Sequence, residues 1–392
     1  MTQQKKKDYL ILKLILGVVI GIVLGVSVNE TWIQVILTVK QILSQVIFYM
    51  VPLIIVGFIT PSIAGLKENA NKMLFTALGI AYLSSVGAAL MSMFAGYAII
   101  PSLNIVTETE GLRVLPDLLF HLEIPALFPV MTALFTAIVM GLAIIWTKAE
   151  KIEALFIEFN KMLLAIIQKI VVPILPVFIM TTFAGLAYEG GIIHQFPVFL
   201  KVIVIVILGH YIWLAILYAI GGAISKTNPM EVLKHYGPAY LTALGTMSSA
   251  ATLPVALTCA RKAKTLDPKV TDFAVPIGAT IHLCGSVLTE VFFVMTISLM
   301  LYGKLPAMGT MLLFIVLLGI FAIGAPGIPG GTVMASLGLI TGILLFDETG
   351  VALMLTIFAL QDSFGTACNV TGDGAIALML TGLYSDHNKK TA

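Results

Sequence analysis

Residues Tyr240–Lys262 read YLTALGTMSSAATLPVALTCARK. The apolar segment Ala239–Ala260 is interrupted at its centre by GTMSSAATLP, residues 245–254. Both flanks are basic, with SKTNPMEVLKH (225–235) before it and RKAK (261–264) after it. Basic flanks mark the cytoplasmic side of a membrane segment. A segment with two such flanks enters and leaves on the same side, so the expectation is a re-entrant helical hairpin with Ser248, Ser249 and Ala250 at its tip. Non-helical backbone at that depth survives only where it lines a cavity or is buried in protein.

The rest of the chain agrees with a membrane setting. Of 392 residues, 59% are hydrophobic and 11% charged, with a mean hydropathy of +1.05. Soluble domains carry about 25% charged residues. The fold class is therefore an all-α polytopic membrane protein, because lone strands cannot satisfy their backbone in lipid. The net charge of +2 gives no sign of a nucleic-acid partner. Cys259, Cys284 and Cys368 show no CxxC spacing, so neither a disulfide framework nor a zinc site is expected. The amino terminus, MTQQKKKDY, has no small-residue cleavage signature and leads into an uncleaved first span.

Outward from the hairpin, apolar runs and basic loops alternate. Lys5, Lys6 and Lys7 place the amino terminus in the cytoplasm. Spans follow over Tyr9–Val28, Ile33–Ile63 (with Pro52), Met73–Ile100, within Leu118–Trp146, over Leu155–Leu186 (with Lys161, Lys169, Pro173 and Pro176), and over Phe196–Ile224. The loop LKENANK (66–72), with Lys67 and Lys72, reads as cytoplasmic, as do Lys148 and Lys151. The loops SLNIVTETEGLR (102–113) and YEGGIIHQ (188–195) read as external. After the first hairpin comes Phe273–Leu301, broken around HLCGS. Met308–Phe346 holds GAPGIPGG (324–331) in its middle and reads as a second hairpin, entering from outside. The last span, Val351–Leu383, ends in DHNKK (386–390), so both termini are cytoplasmic. The expectation is eight transmembrane helices plus two re-entrant hairpins from opposite faces, the trace of an inverted repeat. Paired Gly/Pro-interrupted segments in the two halves point to a transporter's midplane binding site.

The final span carries that site. Within it QDSFGTACNVTGD (361–373) places Asp362, Thr366, Asn369 and Asp373 at spacings of 4, 3 and 4. On a helix these form one polar stripe about three turns long. Asp362 and Asp373 are the only charges between Val351 and Leu383. Intramembrane carboxylates usually face a protein interior or a water-filled cavity.

YLTALGTMSSAATLPVALTCARK, VPIGATIHLCGS, GAPGIPGG and TACNVTGD resemble the two hairpins and two core helices of the dicarboxylate/amino acid:cation symporter family, the glutamate transporter homologues. The likeness is strongest from Lys234 to Asp386. It implies a homotrimer in the cell membrane whose protomers move a transport domain like an elevator against a scaffold. The scaffold would be residues 1–72 (spans 1 and 2) and 116–190 (spans 4 and 5). The transport domain would be 73–115 (span 3) and 191–392, comprising span 6, hairpin 1 at about 230–262, span 7 at about 270–303, hairpin 2 at about 308–347 and span 8 at about 349–385. Carried over by position, Ser248, Ser249 and the Ala250 backbone would face an amino acid substrate. Gly327, Ile328, Pro329 and Gly330 would form the external gate. Asp362 would take the α-ammonium; Thr366, Asn369 and Ser286 would take the α-carboxylate or nearby polar atoms. Asp373, with carbonyls of Gly278 and Asn369 and with Thr280 and His282 nearby, would bind Na⁺. No organic cofactor is implied; Na⁺ and/or H⁺ would be the coupling ions.

Three departures from the family pattern bear on the cargo. Acidic-substrate members carry an arginine where this chain has Gly365, supported by an acid where it has Phe358; others carry the arginine where it has Met247. A guanidinium is the natural partner of a side-chain carboxylate, so its absence points to a small neutral amino acid. QDSFGTACN is similar to the serine/threonine-transporting branch. The alternative is an acidic amino acid or C4-dicarboxylate held by hydroxyls and helix N-termini. In the second departure, span 7 reads His282-Leu283-Cys284-Gly285-Ser286 where the family usually has Asn-Met-Asp-Gly-Thr, which implies fewer sodium ions. In the third, Glu290 is the only acid between Phe273 and Gly303, where proton-coupled members carry their proton; His282 is the second proton-carrier candidate. An intramembrane enzyme is excluded: Asp362 and Asp373 lie about 16 Å apart along one helix, too far for a dyad. Neither a filter-like repeat nor a charged ring marks a channel.

Overall fold

The computed structural model describes residues 10–64, 72–103, 105, 113–190, 192–325, 327 and 329–385. The expectations resting on Lys5–Lys7, Lys67, the centre of the 102–113 loop, Pro326, Ile328 and DHNKK lie outside the described residues.

The described residues are helical, joined by turns and one long irregular segment. In chain order the helices are α1 Leu10–Ser27, α2 Glu30–Ala64, α3 Lys72–Ile99, α4 Val130–Thr147, α5 Glu150–Ile166, α6 Val172–Glu189, α7 Ile192–Ser225, the single turn α8 Met230–Leu233, α9 Gly237–Thr246, α10 Ser249–Ala260, α11 Pro268–Ile281, α12 Cys284–Tyr302, α13 Met308–Gly324, α14 Gly331–Gly342 and α15 Glu348–Tyr384. Among the described residues, six stretches are long and apolar enough to cross a membrane: 30–61, 72–103, 150–189, 198–225, 268–302 and 348–384. Counterparts of the expected first and fourth spans are shorter, with described apolar stretches of Ile15–Ser27 and Phe135–Thr147. In the stretches 268–302 and 348–384, 94% and 89% of the apolar window is buried, against 33% for 72–103 and 198–225. Those two form the centre of the molecule.

Local chemistry accounts for the breaks. α5 and α6 run on through a widened π turn, Ile167–Val171. Pro173 lacks an N–H, and its ring crowds the carbonyl one turn earlier. α9 gives way to α10 at Met247, whose φ of 51° is left-handed. Ser248 then caps α10, its hydroxyl accepting from Ala251 N at 3.2 Å. α11 stops at His282, which is extended, and α12 begins two residues on. At the other interrupted segment, Gly330 takes φ 70° immediately before α14. Each expected tip is therefore a place where a helix stops and restarts.

Close packing follows from small side chains. α3 turns Ala77, Ala81, Ser84, Ser85, Ala88, Ala89 and Ser92 inward, and it packs on α12. α1 packs on α6 through Gly17, Gly21 and Gly25; a Cβ at Gly21 would stand 2.3 Å from the Met180 carbonyl oxygen. This small-xxx-small spacing lets two backbones touch. Two groups of helices result. α1, α2, α4, α5 and α6 pack together, while α3, α7, α9–α12 and α14 pack around α15 and α13 packs on α3 and α14. Between the groups, α2 meets α13 and α14, α4 meets α14, α1 and α6 meet α15, and α6 meets α7.

The helix of the expected fourth span, α4, occupies the second part of the window 118–146. Residues 118–129 are not helical, and α4 begins only after Pro129. Pro125 and Pro129 interrupt any helix there, and the backbone is satisfied from outside. Thr38 Oγ1 accepts from Leu119 N (3.1 Å), and Gln41 both accepts from Leu122 N (3.3 Å) and donates to Leu122 O (2.6 Å). Gln45 Oε1 accepts from Ile124 N at 3.1 Å.

Candidate functional site

α15 brings its polar stripe inward over its whole length: Asp362, Thr366, Asn369 and Asp373 are all buried. Facing it are the α9–α10 break, the turn before α14 and the α11–α12 break. Together they line a small, tightly packed pocket formed by Met247, Ser249, Leu283, Ser286, Gly327, Thr332, Asp362, Thr366 and Asn369. Among the described residues the lining contains one carboxyl group and no Lys, Arg or His.

The tips are tied to each other and to α15. Ser248 Oγ donates to the Gly327 carbonyl at 2.6 Å. Gly330 N donates to Asp362 Oδ2 at 2.7 Å. Asp362 thus places a carboxyl group in the buried pocket and holds the turn before α14 with it. Two helix N-termini also face this space, α10 at Ser249 and α14 at Gly331. Free N–H groups at helix starts favour anionic groups such as an α-carboxylate.

Asn369 has a further job. Its Oδ1 accepts from Gly285 N (2.7 Å) and Ser286 N (3.2 Å), and its Nδ2 donates to Ser286 Oγ (2.9 Å). It is the cap of α12, with one N–H left over. α12 and α15 come close here because Gly285 has no side chain; a Cβ would lie 2.5 Å from the Gly365 carbonyl oxygen. At Gly365 itself a Cβ would meet Ser286 Cα at 3.4 Å, an ordinary contact.

One turn beyond lies a second polar group. His282 Nδ1 donates to Asp373 Oδ1 at 3.0 Å, and its Nε2 lies 2.8 Å from Ser84 Oγ on α3. Histidine and aspartate are 0% and 1% exposed. Asp373 Oδ2 has no partner among the described residues. Gly278 allows the approach, since a Cβ there would be 2.7 Å from Asp373 Oδ1. Thr280 is not drawn in; it is exposed and donates to the Ile277 carbonyl at 2.7 Å. Glu290 is buried on α12, with Oε1 accepting from Ser336 Oγ of α14 and Oε2 unpartnered among the described residues. Among the described residues no cluster of three or more His, Cys, Asp or Glu side chains could hold a metal ion.

Ser249, Ser286, Gly327, Asp362, Gly365, Thr366 and Asn369 come together, with Ser248, Ala250 and Gly330 beside them. Pro329 lies in the turn before Gly330. Met247, Leu283 and Thr332 also line the cavity, and His210 supports it, its Nε2 lying 3.0 Å from Gly285 O and 2.9 Å from Thr289 Oγ1. Only His210 carried a readable signal, as a lone imidazole in the apolar run 196–224.

Helices of membrane-spanning length around a buried polar stripe met by two helix breaks fit a multi-pass membrane protein of the transporter class. Comparison gives the family. Residues 10–383 match the model of the sodium:dicarboxylate symporter family, and the chain belongs to that family. It is 33% identical over 172 residues to a putative sodium-dependent excitatory amino acid transporter of Caenorhabditis elegans, covering 43% of this chain and 33% of that protein. It is 29% identical to Excitatory amino acid transporter 2 of Mus musculus over 56% of this chain and 39% of that one. It is 27% identical to Neutral amino acid transporter A of Bos taurus over 71% of this chain and 50% of that one. The matches span about a third to a half of the relatives' lengths, and the relatives include both acidic and neutral amino acid transporters.

Proposed function

We propose that this chain is a secondary active symporter that imports a small neutral amino acid. Uptake is coupled to Na⁺ and/or H⁺, and the transport domain moves like an elevator. One observation carries the choice of cargo: the cavity offers Asp362 to an α-ammonium, helix N-termini to an α-carboxylate, and no cation to a second carboxylate. A second buried carboxylate without a partner would cost several kcal/mol.

The division of labour follows the packing. α1, α2 and α4–α6 are the scaffold; α3, α7 and the helices around α15 are the moving body, and trimer contacts would lie on the scaffold. The second hairpin is the external gate, held here by Asp362 and Ser248. Asp373, with its free Oδ2 and the close Gly278 backbone, is the seat for a cation cargo. His282 occupies the other oxygen, which supports fewer sodium ions per cycle. Glu290 and His282 are the proton carriers to test.

The test is uptake into proteoliposomes with Na⁺ and H⁺ gradients imposed separately. The expected result is accumulation of serine or alanine driven by at least one gradient, unaffected by excess aspartate. Accumulation of aspartate or a C4-dicarboxylate, with neutral amino acids excluded, would select the acidic alternative. If uptake collapses without Na⁺ and ignores pH, the proton carriers are wrong.

A further inference from the structure

Two fully buried polar side chains outside the pocket lining lack partners. Gln361 and Glu290 are both 0% exposed. Among the described residues, neither Nε2 nor Oε1 of Gln361 has a hydrogen-bond partner, and Glu290 Oε2 has none either. A buried amide left unpaired is costly, so an orphan of this kind calls for an explanation. The packing of α12 on α15 brings the two residues to one level. The helices run antiparallel: Gly285 N at the start of α12 donates to Asn369 Oδ1 at 2.7 Å, and the Tyr302 hydroxyl at its end donates to Asp347 Oδ1, just ahead of α15, at 2.9 Å. The register along this seam is nearly even. A Cβ at Gly365 would lie 3.4 Å from Ser286 Cα, and one at Gly350 would lie 2.5 Å from the Tyr302 hydroxyl. Glu290 is four residues after Ser286, and Gln361 is four before Gly365. Four residues keep one helix face and advance about 6 Å, so both residues stand on the seam one turn above the Ser286–Gly365 contact. α14 closes the same junction, since Ser336 donates to Glu290 Oε1 and α14 packs on both helices.

We propose that Gln361 is the positioning residue for the proton on Glu290, its amide serving Glu290 Oε2, directly or through one water, in both protonation states. The inference rests on the reading of Glu290 as a proton carrier and supplies the group that makes such a carrier reversible. A carboxylate needs a donor, whereas a carboxylic acid needs an acceptor for its O–H. A primary amide offers both, and a half-turn of the amide exchanges them. A bridging water transmits either. Hydrogen bonds to an ionised group are about twice as strong as neutral ones, so the amide favours the charged form more than the neutral one. The other groups near this junction are committed elsewhere. α13 and α14 carry no titratable side chain. Asp362 of α15 accepts from Gly330 N, and His210 of α7 lies on Gly285 and Thr289. Tyr82 and Tyr97 of α3 donate to the Val316 and Pro306 carbonyls.

The experiment follows uptake of labelled L-serine and L-aspartate against external pH in proteoliposomes. These carry the wild type, Glu290→Gln, Gln361→Met, Gln361→Asn or the double variant Glu290→Gln with Gln361→Met. In the wild type, uptake of whichever cargo accumulates should show a pH midpoint, and Glu290→Gln should flatten the profile. Gln361→Met keeps the length and removes the amide. It should move the midpoint to higher pH by about one unit, about tenfold in proton affinity, with the cargo KM on the acid plateau nearly unchanged. Gln361→Asn, one methylene short, should move it by less, and it decides the question if Gln361→Met does not fold. In the double variant the exchange at 361 should add nothing to the flat profile of Glu290→Gln. A flat wild-type profile, or an unaltered one in Glu290→Gln, would overturn the proton-carrier reading and this inference with it. A profile flattened by Glu290→Gln but unmoved in both Gln361 variants, or a KM loss in them without a shift, would overturn this inference alone.

Discussion

In the proposed mechanism, cargo binding turns on Asp362. Among the described residues it is the one ionisable side chain lining the pocket, and its present partner is the Gly330 N–H. Asp362→Asn keeps an oxygen for Gly330 N, so the fold should survive. It removes the charge that faces an α-ammonium. Removing one partner of a buried charge pair costs about 2–5 kcal/mol, so amino acid affinity should fall at least roughly 30-fold by isothermal titration, with little change in melting temperature without ligand. Gly365 is the converse case. Ordinary contact distance to Ser286 leaves space for a side chain to start there. Gly365→Arg should make aspartate a better ligand than serine in thermal-shift titrations; continued preference for serine would show that another group sets selectivity. These two positions were legible in the sequence because both lie on one helical stripe of known period. Thr332 was not. Its place in the lining depends on where the turn before α14 ends, and an abrupt turn gives no periodicity to extrapolate.

At the scale of elements, the interrupted helices were readable and their supports were not. GTMSSAATLP, HLCGS and GAPGIPGG announce breaks by composition, and the helices stop near each of them. What holds a break in place comes from far along the chain. Asn369 caps α12 from 83 and 84 residues away, and His210 approaches Gly285 from 75. Asn369→Ala should leave the Gly285 and Ser286 N–H groups unsatisfied and cost about 1–3 kcal/mol each, seen as a lower melting temperature together with lost uptake. The irregular segment 118–129 fails as a helix for a readable reason, its two prolines. Its partners are less obvious: Thr38, Gln41 and Gln45 share one face of α2 at spacings of 3 and 4, yet their targets lie 79–81 residues on. The α1–α6 contact was readable, since Gly17, Gly21 and Gly25 recur every four residues. Gly21→Leu should push α1 off the Met180 carbonyl and destabilise the protein by about 1–3 kcal/mol or more, measured by thermal unfolding in detergent.

For the whole molecule, the proposed elevator movement slides one group of helices past the other. A polar contact crosses between them: Gln45 Nε2 on α2 donates to Glu348 Oε1 at the start of α15 at 3.1 Å. In an elevator this contact must break in every cycle. Gln45→Cys combined with Glu348→Cys, cross-linked by mercury, should stop uptake while leaving amino acid binding intact. The native cysteines, all buried, provide the unreacted control. Unchanged uptake after cross-linking would argue against relative movement of the two groups. The central claim, import of a small neutral amino acid against its gradient, is tested most directly by accumulation in proteoliposomes. With inward Na⁺ and H⁺ gradients imposed, labelled serine should rise above its external concentration and collapse when the gradients are dissipated, while labelled aspartate stays at background. Gradient-driven aspartate accumulation with serine at background would contradict the account.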